Sequence, residues 1–432
     1  MEGEGVFTVD FENYDTIIET YVDKEHPDFI KPAFGKGCIA DIPGLAESKL
    51  LGGKNSDLPS KFGIGNEESD HVIILLLDGF GHDLLRYAVK NHEMKHLRSV
   101  IERSLYTPIT SVFPSTTVTS LFTLYMDMQP IEHEIIGYTQ YIRELGSVCN
   151  MLSMTPISSI KNDLLGAGWI PRTLKDRESF SKRMSNEGVN SYIYLPNTIR
   201  NNGMSRIIAA GTNLEPYYST SHMFASIVRN VKASRKKSMH IGYISSIDSL
   251  SHKIGPRTRE SVAELESIFY SVDVLREELK STKTAILISA DHGHVNVGSS
   301  NLFDISKDKE LYNLFRTPVV GDARAAVLRI LCDHIDEAEN YLLEKYGASY
   351  EIFRSSQMIE KGYFGNRNTN KNENDRFGDL IIVPKSNTGI IDSNLTFLDK
   401  EMSYENMVGM HGGLLAEEMI VPLILLFSKY ES

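Results

Sequence analysis

Thr284-Ala285-Ile286-Leu287-Ile288-Ser289-Ala290-Asp291-His292-Gly293-His294 is an apolar run that ends in a polar cluster. The first five residues are mostly aliphatic, with β-branched Thr284, Ile286 and Ile288. They read as a buried strand. Chemistry in α/β folds sits at the C-terminal ends of such strands. Asp291 and His292 side by side offer oxygen and nitrogen donors to a divalent metal. A polar turn, with Gly293 there for its backbone, explains Ser289 to His294 equally well. The rest of the chain has to decide between the two.

Moving outward, the same arrangement recurs. Val72 to Leu77 is an unbroken apolar run that ends at Asp78-Gly79, and a helix is predicted from about Asp83. Met239 to Ser245 is a short predicted strand that leads into Asp248-Ser249-Leu250-Ser251-His252. After Pro256, Val262, Leu265, Phe269, Val272 and Leu275 form the apolar stripe of a long amphipathic helix. Ile109 to Ser115 reads as a short extended segment. From Thr117, apolar Val118, Leu121, Phe122 and Tyr125 recur at helical spacing. Ser115 or Thr116 is a candidate N-cap, which puts Thr117 in a first turn whose free N–H groups and dipole favour an anion.

Further on, strands are predicted at Ala323 to Cys332, Asp379 to Val383 and Ile420 to Phe427, with a helix at Asp336 to Tyr346. Ser355 to Arg376 reads as an exposed polar loop, and Met410-His411-Gly412-Gly413 as a turn. Residues 1 to about 66 read as an N-terminal wrap without assigned function. Residues 138–237 read as an inserted cap that shapes the substrate pocket. Alternating strands and helices predict one α/β domain over 1–432, a three-layer sandwich around a largely parallel sheet.

Composition bounds the function. The 432 residues are 41% apolar and 24% charged, as in an ordinary globular protein. No apolar run approaches the roughly 20 residues that span a bilayer. A net charge of -12 argues against broad nucleic-acid binding, though not against a compact metal site that holds one phosphate. The acidic start, Met1-Glu2-Gly3-Glu4-Gly5, lacks the apolar stretch of a secretory signal. Cys38, Cys149 and Cys332 are too few for a disulfide framework. A cytoplasmic location is the expectation.

The polar clusters together hold Asp78, Thr117, Asp248, His252, Asp291, His292 and His411. Three carboxylates, three imidazoles and a hydroxyl suit two divalent metals at a site of displacement on phosphorus. Four positive charges from the cations balance three aspartates and an ionised threonine. Such a site accepts a singly charged phosphodiester, whereas a monoester dianion usually wants an added Arg or Lys. No basic residue adjoins Thr117 in sequence.

In this order and spacing the motifs resemble the alkaline phosphatase superfamily, and more closely its type I phosphodiesterase/nucleotide pyrophosphatase family. The residues that carry the likeness are Leu77-Asp78-Gly79-Phe80, Thr110-Ser111-Val112-Phe113-Pro114-Ser115-Thr116-Thr117, Asp248 to Pro256, Asp291-His292-Gly293 and His411-Gly412. The resemblance implies that Thr117 is a nucleophile forming a covalent phosphothreonine. It implies Asp78, Asp291 and His292 as ligands of the metal beside Thr117, and Asp248, His252 and His411 as ligands of a second. Zinc is the usual metal of the family, manganese is used elsewhere in the superfamily, and three histidines lean to zinc. The implied substrate is a small phosphate ester, nucleotides included.

The chain also departs from the pattern. Met126-Asp127 and His133-Glu134 stand where the family has Thr-Gly and His-Gly, and its transition-state asparagine is not evident near Gly137-Tyr138. A phosphomonoesterase, phosphonate hydrolase or phosphomutase is the alternative on this scaffold. The tail from Met410 to Met419, followed by Val421-Pro422, also resembles PglZ-type domains, some of them defence or signalling modules. Thr116 and Thr117 both fit as helix caps. His133 and His294 read as supporting or surface groups, and Asp41 as a strand-end residue.

Overall fold

The computed structural model describes residues 12–52, 68–157, 164–366, 374–396 and 404–428. Parts of the expected N-terminal wrap (1–11 and 53–67) and of the polar loop (367–373) lie outside them.

A seven-stranded sheet runs in the order 105–110, 420–427, 284–289, 71–77, 238–244, 190–196, 213–217. The last five pair in parallel. Ile420–Phe427 closes the other side, antiparallel to both its neighbours. His71–Leu77, Ser238–Ile244 and Thr284–Ser289 are buried at every position. Strands covered on both faces need this pattern, and it is why they read as continuous apolar runs. Pro422 and Pro108 stand opposite each other in register, so neither leaves a ladder N–H without a partner.

Helix Thr117–Met126 packs with Ile42–Leu51 and Phe180–Asn186. A separate set, Lys95–Glu102, Thr220–Ala233 and Ser246–Ile254, packs around the long helix Arg259–Glu278. The result is the expected three-layer α/β sandwich around a largely parallel sheet. Among the described residues no helix is long and apolar enough to cross a membrane.

A second seven-stranded sheet, wholly antiparallel, orders as 350–354, 380–384, 325–328, 320–322, 139–142, 147–150, 155–156. Two of its strands, Ala325–Leu328 and Leu380–Pro384, overlap the predicted runs, but their membership in a separate sheet was not disclosed, because the other strands are short and the partners lie up to about half the chain apart. The 138–237 segment divides between the two sheets. Its first strands join the second sheet, while Asn190–Pro196 and Asn213–Tyr217 extend the parallel one.

Three local expectations change. Residues 355–376 begin with a helix, Ser355–Glu360, and bury Met358, Tyr363 and Phe364 against Phe113, Phe353 and Phe377. The exposed-loop reading weighed the asparagines over these few large apolar groups. The extended segment before Thr117 is a strand only over Leu105–Thr110. Asp41 ends a helical turn rather than a strand, and its carboxylate accepts from the N–H groups of Gly35, Gly37 and Cys38.

Candidate active site

Strand His71–Leu77 lies between Ser238–Ile244 and Thr284–Ser289, so the C-terminal ends of three parallel strands converge. Asp78 follows the first and its N–H donates to Ile244 at 2.9 Å. Asp291 and His292 follow the third. The second passes into helix Ser246–Ile254, which carries Asp248 and His252 one turn apart on one face. The short antiparallel pairing of Val295–Asn296 with Gly409–Met410 brings His411 alongside. All seven residues singled out from the sequence therefore meet in one place.

The imidazoles are aimed by their second nitrogens. His252 Nδ1 lies 2.8 Å from the Gly409 carbonyl, His411 Nδ1 3.2 Å from that of Ser115, and His292 Nδ1 3.1 Å from that of Gly293. A carbonyl only accepts, so each Nδ1 is the donor and each Nε2 is turned toward the carboxylates. Burial lowers the His252 imidazole, but Asp248 outweighs it and raises it to about 9, so without a cation its Nε2 holds a proton that a cation would displace. His252 Nε2 is 3.1 Å and His411 Nε2 3.8 Å from Asp248 Oδ1. His292 Nε2 is 3.4 Å from Asp78 Oδ1, 3.5 Å from Asp291 Oδ2 and 3.1 Å from the Thr117 hydroxyl.

Thr117 opens helix Thr117–Met126, and Thr116 precedes it with extended backbone. The position has the free N–H groups of a helix start. Asp291 is held by the N–H groups of Gly79 and His292, at 3.1 and 2.9 Å. Gly79 has φ +75°, and a Cβ there would meet His294 Cε1 at 2.4 Å. A Cβ on Gly293 would meet the Glu417 carbonyl oxygen at 2.1 Å. The glycines of both motifs are thus required by close approach.

His294, expected as a supporting or surface group, lies at the site. It is buried, with Nε2 3.0 Å from Asp248 Oδ1, and it joins Asp248, His252 and His411 in one donor group. Its place in the motif held the hint, since it stands two residues from His292 and the two ring centroids lie 5.3 Å apart. His133 is buried away from these groups, against Thr123 Oγ1 and the Ile135 N–H. Tyr243 and Asp322 also line the site, and no motif announced either. Tyr243 donates its hydroxyl proton to Asp78 Oδ2.

The electrostatics are those of a cluster poised for cations. Burial, with Asp248 and Asp291 alongside, holds the Asp78 carboxyl well above its usual range. Burial also raises Asp248, but His252 and His294 outweigh it and carry that carboxyl well below the usual range. Burial and the neighbouring imidazoles keep His411 neutral. Asp78 Oδ1, Asp291 Oδ2 and His294 Nδ1 are buried without a hydrogen-bond partner. Orphaned carboxylate oxygens are costly in a protein interior, and divalent cations would satisfy them. Asp78, Asp248 and His292 form a second donor group that shares Asp248 with the first, and within each group the ligand atoms lie within 4.8 Å of one another. The donor set fits two metals.

A cavity of about 240 Å³ opens over these groups. Tyr138, Leu152, Ile199 and Met204 line it along with Tyr404, Met407 and Met410. Among the described residues, no Lys or Arg lines it.

The model of the type I phosphodiesterase/nucleotide pyrophosphatase family matches residues 72–414. No curated protein matches the chain. Among solved structures, murine ectonucleotide pyrophosphatase/phosphodiesterase 5 superimposes with a TM-score of 0.61 at 17% identity, over 82% of this chain and 87% of that one. An inactive form of the murine protein in complex with AMP gives 0.59 at the same identity and coverage. Phosphonoacetate hydrolase from Sinorhizobium meliloti 1021, in complex with phosphonoformate, gives 0.60 at 16% identity, over 83% of this chain and 89% of that one. At such identities the likeness establishes the fold.

Proposed function

The chain belongs to the type I phosphodiesterase/nucleotide pyrophosphatase family, and from that premise we propose that it hydrolyses phosphodiester or pyrophosphate bonds in nucleotide-type substrates through a covalent phosphothreonine at Thr117. One observation carries the reading. The Thr117 hydroxyl stands at a helix start, 3.1 Å from an imidazole nitrogen that also faces an orphaned carboxylate oxygen.

In this reading Asp78, Asp291 and His292 hold one divalent cation beside Thr117, and Asp248, His252 and His411 hold the other. When bound, the cations supply positive charge that stabilises an ionised threonine oxygen and the charge developing on the phosphoryl group. Four imidazoles at the centre favour zinc over manganese. His294 steadies Asp248 from the side away from the cavity. Thr117 Oγ1 attacks phosphorus and the bond to the leaving oxygen breaks. Water then cleaves the threonine ester, returning the hydroxyl. The first-turn N–H groups receive the phosphoryl oxygens. The AMP complex of the murine relative supports a nucleotide-type substrate. On composition and cysteine count we place the activity in the cytoplasm.

Phosphonate hydrolysis is the second reading, favoured by the equal likeness to phosphonoacetate hydrolase. The cavity disfavours it, since among the described residues no Lys or Arg lines it to receive a multiply charged phosphonate. The test compares bis-p-nitrophenyl phosphate, p-nitrophenyl phosphate and phosphonoacetate, with Zn²⁺ or Mn²⁺ and with chelator, for wild type and Thr117→Ala. We expect preference for the diester, lost on chelation and reduced by at least about 10³-fold in the variant. Diester turnover that survives Thr117→Ala would refute the nucleophile. Preference for phosphonoacetate would install the second reading.

A further inference from the structure

We propose that Asp322 is a specificity-determining residue, whose negative charge on the cavity wall beside the nucleophile turn admits singly charged phosphate esters and turns away dianionic ones. The proposal rests on the reading of Thr117 as the nucleophile and names the charge class of its substrate.

Asp322 ends the short strand Val320–Asp322 of the second sheet, a hairpin that belongs to neither metal-facing motif. Its side chain reaches the cavity that Thr116 and Thr117 line. The Thr116 hydroxyl donates to Oδ1 and the Tyr138 N–H to Oδ2, each at 3.1 Å. The second bond needs two backbones in close approach, since a Cβ on Gly137 would stand 2.7 Å from Gly321 Cα. The turn behind His411 packs on the same side chain, where a Cβ on Gly412 would meet Asp322 Cβ at 3.1 Å. The carboxylate is thus fixed beside both the nucleophile turn and the His411 loop.

The cationic groups that face it before metals bind are the His292 and His252 imidazoles, which in the loaded site would be neutral ligands. Among the described lining residues there is no Lys or Arg. Arg324, two residues on, is fully buried and bonded to Glu418. Two divalent cations are already balanced by Asp78, Asp248, Asp291 and an ionised Thr117, so Asp322 leaves the loaded site net negative. A diester brings one more negative charge, whereas a monoester or inorganic phosphate brings two. The second is repelled by a fixed neighbour in a poorly solvated cavity. Burial pushes the Asp322 carboxyl up to about 6, which leaves it ionised at mildly alkaline pH.

Asp322→Asn separates charge from scaffold. The amide oxygen can accept from the Tyr138 N–H while the amide nitrogen donates to Thr116, so both bonds survive. The experiment measures kcat/KM for bis-p-nitrophenyl phosphate and p-nitrophenyl phosphate, and the inhibition constant of inorganic phosphate, in the zinc-loaded full chain. We expect the monoester-to-diester ratio to rise on the order of 10- to 100-fold in Asp322→Asn, and phosphate inhibition to tighten by a similar factor. An unchanged ratio and inhibition constant, or a parallel fall on both substrates, would overturn the proposal and leave Asp322 as a latch for the Thr116 turn. Should Asp322→Asn fail to fold, Asp322→Ser is read the same way. Thr117→Ala keeps the two claims apart. Loss of turnover there with an unmoved Asp322→Asn ratio sinks only the charge filter, and surviving turnover sinks the nucleophile while phosphate inhibition still tests Asp322.

Discussion

Arg324 and Glu418 are both fully buried and make two bonds, Nε to Oε1 at 3.0 Å and Nη2 to Oε2 at 2.7 Å. Arg324 Nη1 donates to the carbonyls of Ser386 and Thr388. Glu418 in turn receives the Gly413 N–H at 2.9 Å, and its own carbonyl receives the Gly293 N–H at 2.8 Å. The pair therefore joins the second sheet to the loops that carry His411, His292 and His294. Arg324→Met retains most of the volume and leaves a carboxylate buried with one donor. Breaking a buried pair from one side costs about 3–5 kcal/mol, chiefly through the charge left behind. At roughly 1 °C per kcal/mol for a chain of this length, the melting temperature should fall by about 3–5 °C. Denaturant unfolding of wild type, Arg324→Met, Glu418→Gln and the double variant would measure the coupling. Removing both charges should recover a large part of the single-variant loss. A single variant within about 1 kcal/mol of wild type, or a double variant as unstable as the sum of the singles, refutes the reasoning.

Two further outcomes follow from the geometry. His294→Ala removes the group that steadies Asp248, so zinc affinity measured by competition with a chromogenic chelator should fall about 10- to 100-fold, and unchanged affinity would make His294 a packing residue only. His240 is buried between Tyr194 and Ser238, and burial pushes its pKa down to about 3. The unfolded chain binds a proton there below about pH 6.5 and the native chain does not, so this contribution is complete above that pH and is lost as pH falls toward 3. The stability of His240→Gln, followed by urea unfolding from neutral pH to about pH 5, should fall less steeply than that of wild type, and identical slopes would argue against the linkage.

Much of the parallel sheet was legible because buried central strands are written locally. His71–Leu77, Ser238–Ile244 and Thr284–Ser289 are continuous apolar runs, and each is followed by its polar group within a few residues. The helix that Thr117 opens was legible for the same reason, since periodicity and a cap lie within one stretch of chain. His294 was within reach, because it stands two residues from His292 in the same motif.

Other features are not written in one stretch of chain. The second sheet contains local hairpins, 139–142 with 147–150 and 320–322 with 325–328, but the pairings that join them into one sheet, Thr139 with Gly321 and 326–328 with 380–382, lie in no single window of sequence. Asp322 reads as a polar turn residue until Thr116 and Tyr138 are folded against it, about 200 positions away in chain. Arg324 and Glu418 look like surface charges apart, and become a buried pair only across the join between the second sheet and the His411 loop. The candidate ligands could be read before the fold was known, because donor identity and strand-end position are properties of neighbours in chain. What faces the Thr117 hydroxyl could be read only from the folded chain, because burial and charge in a cavity are sums over residues distant in sequence.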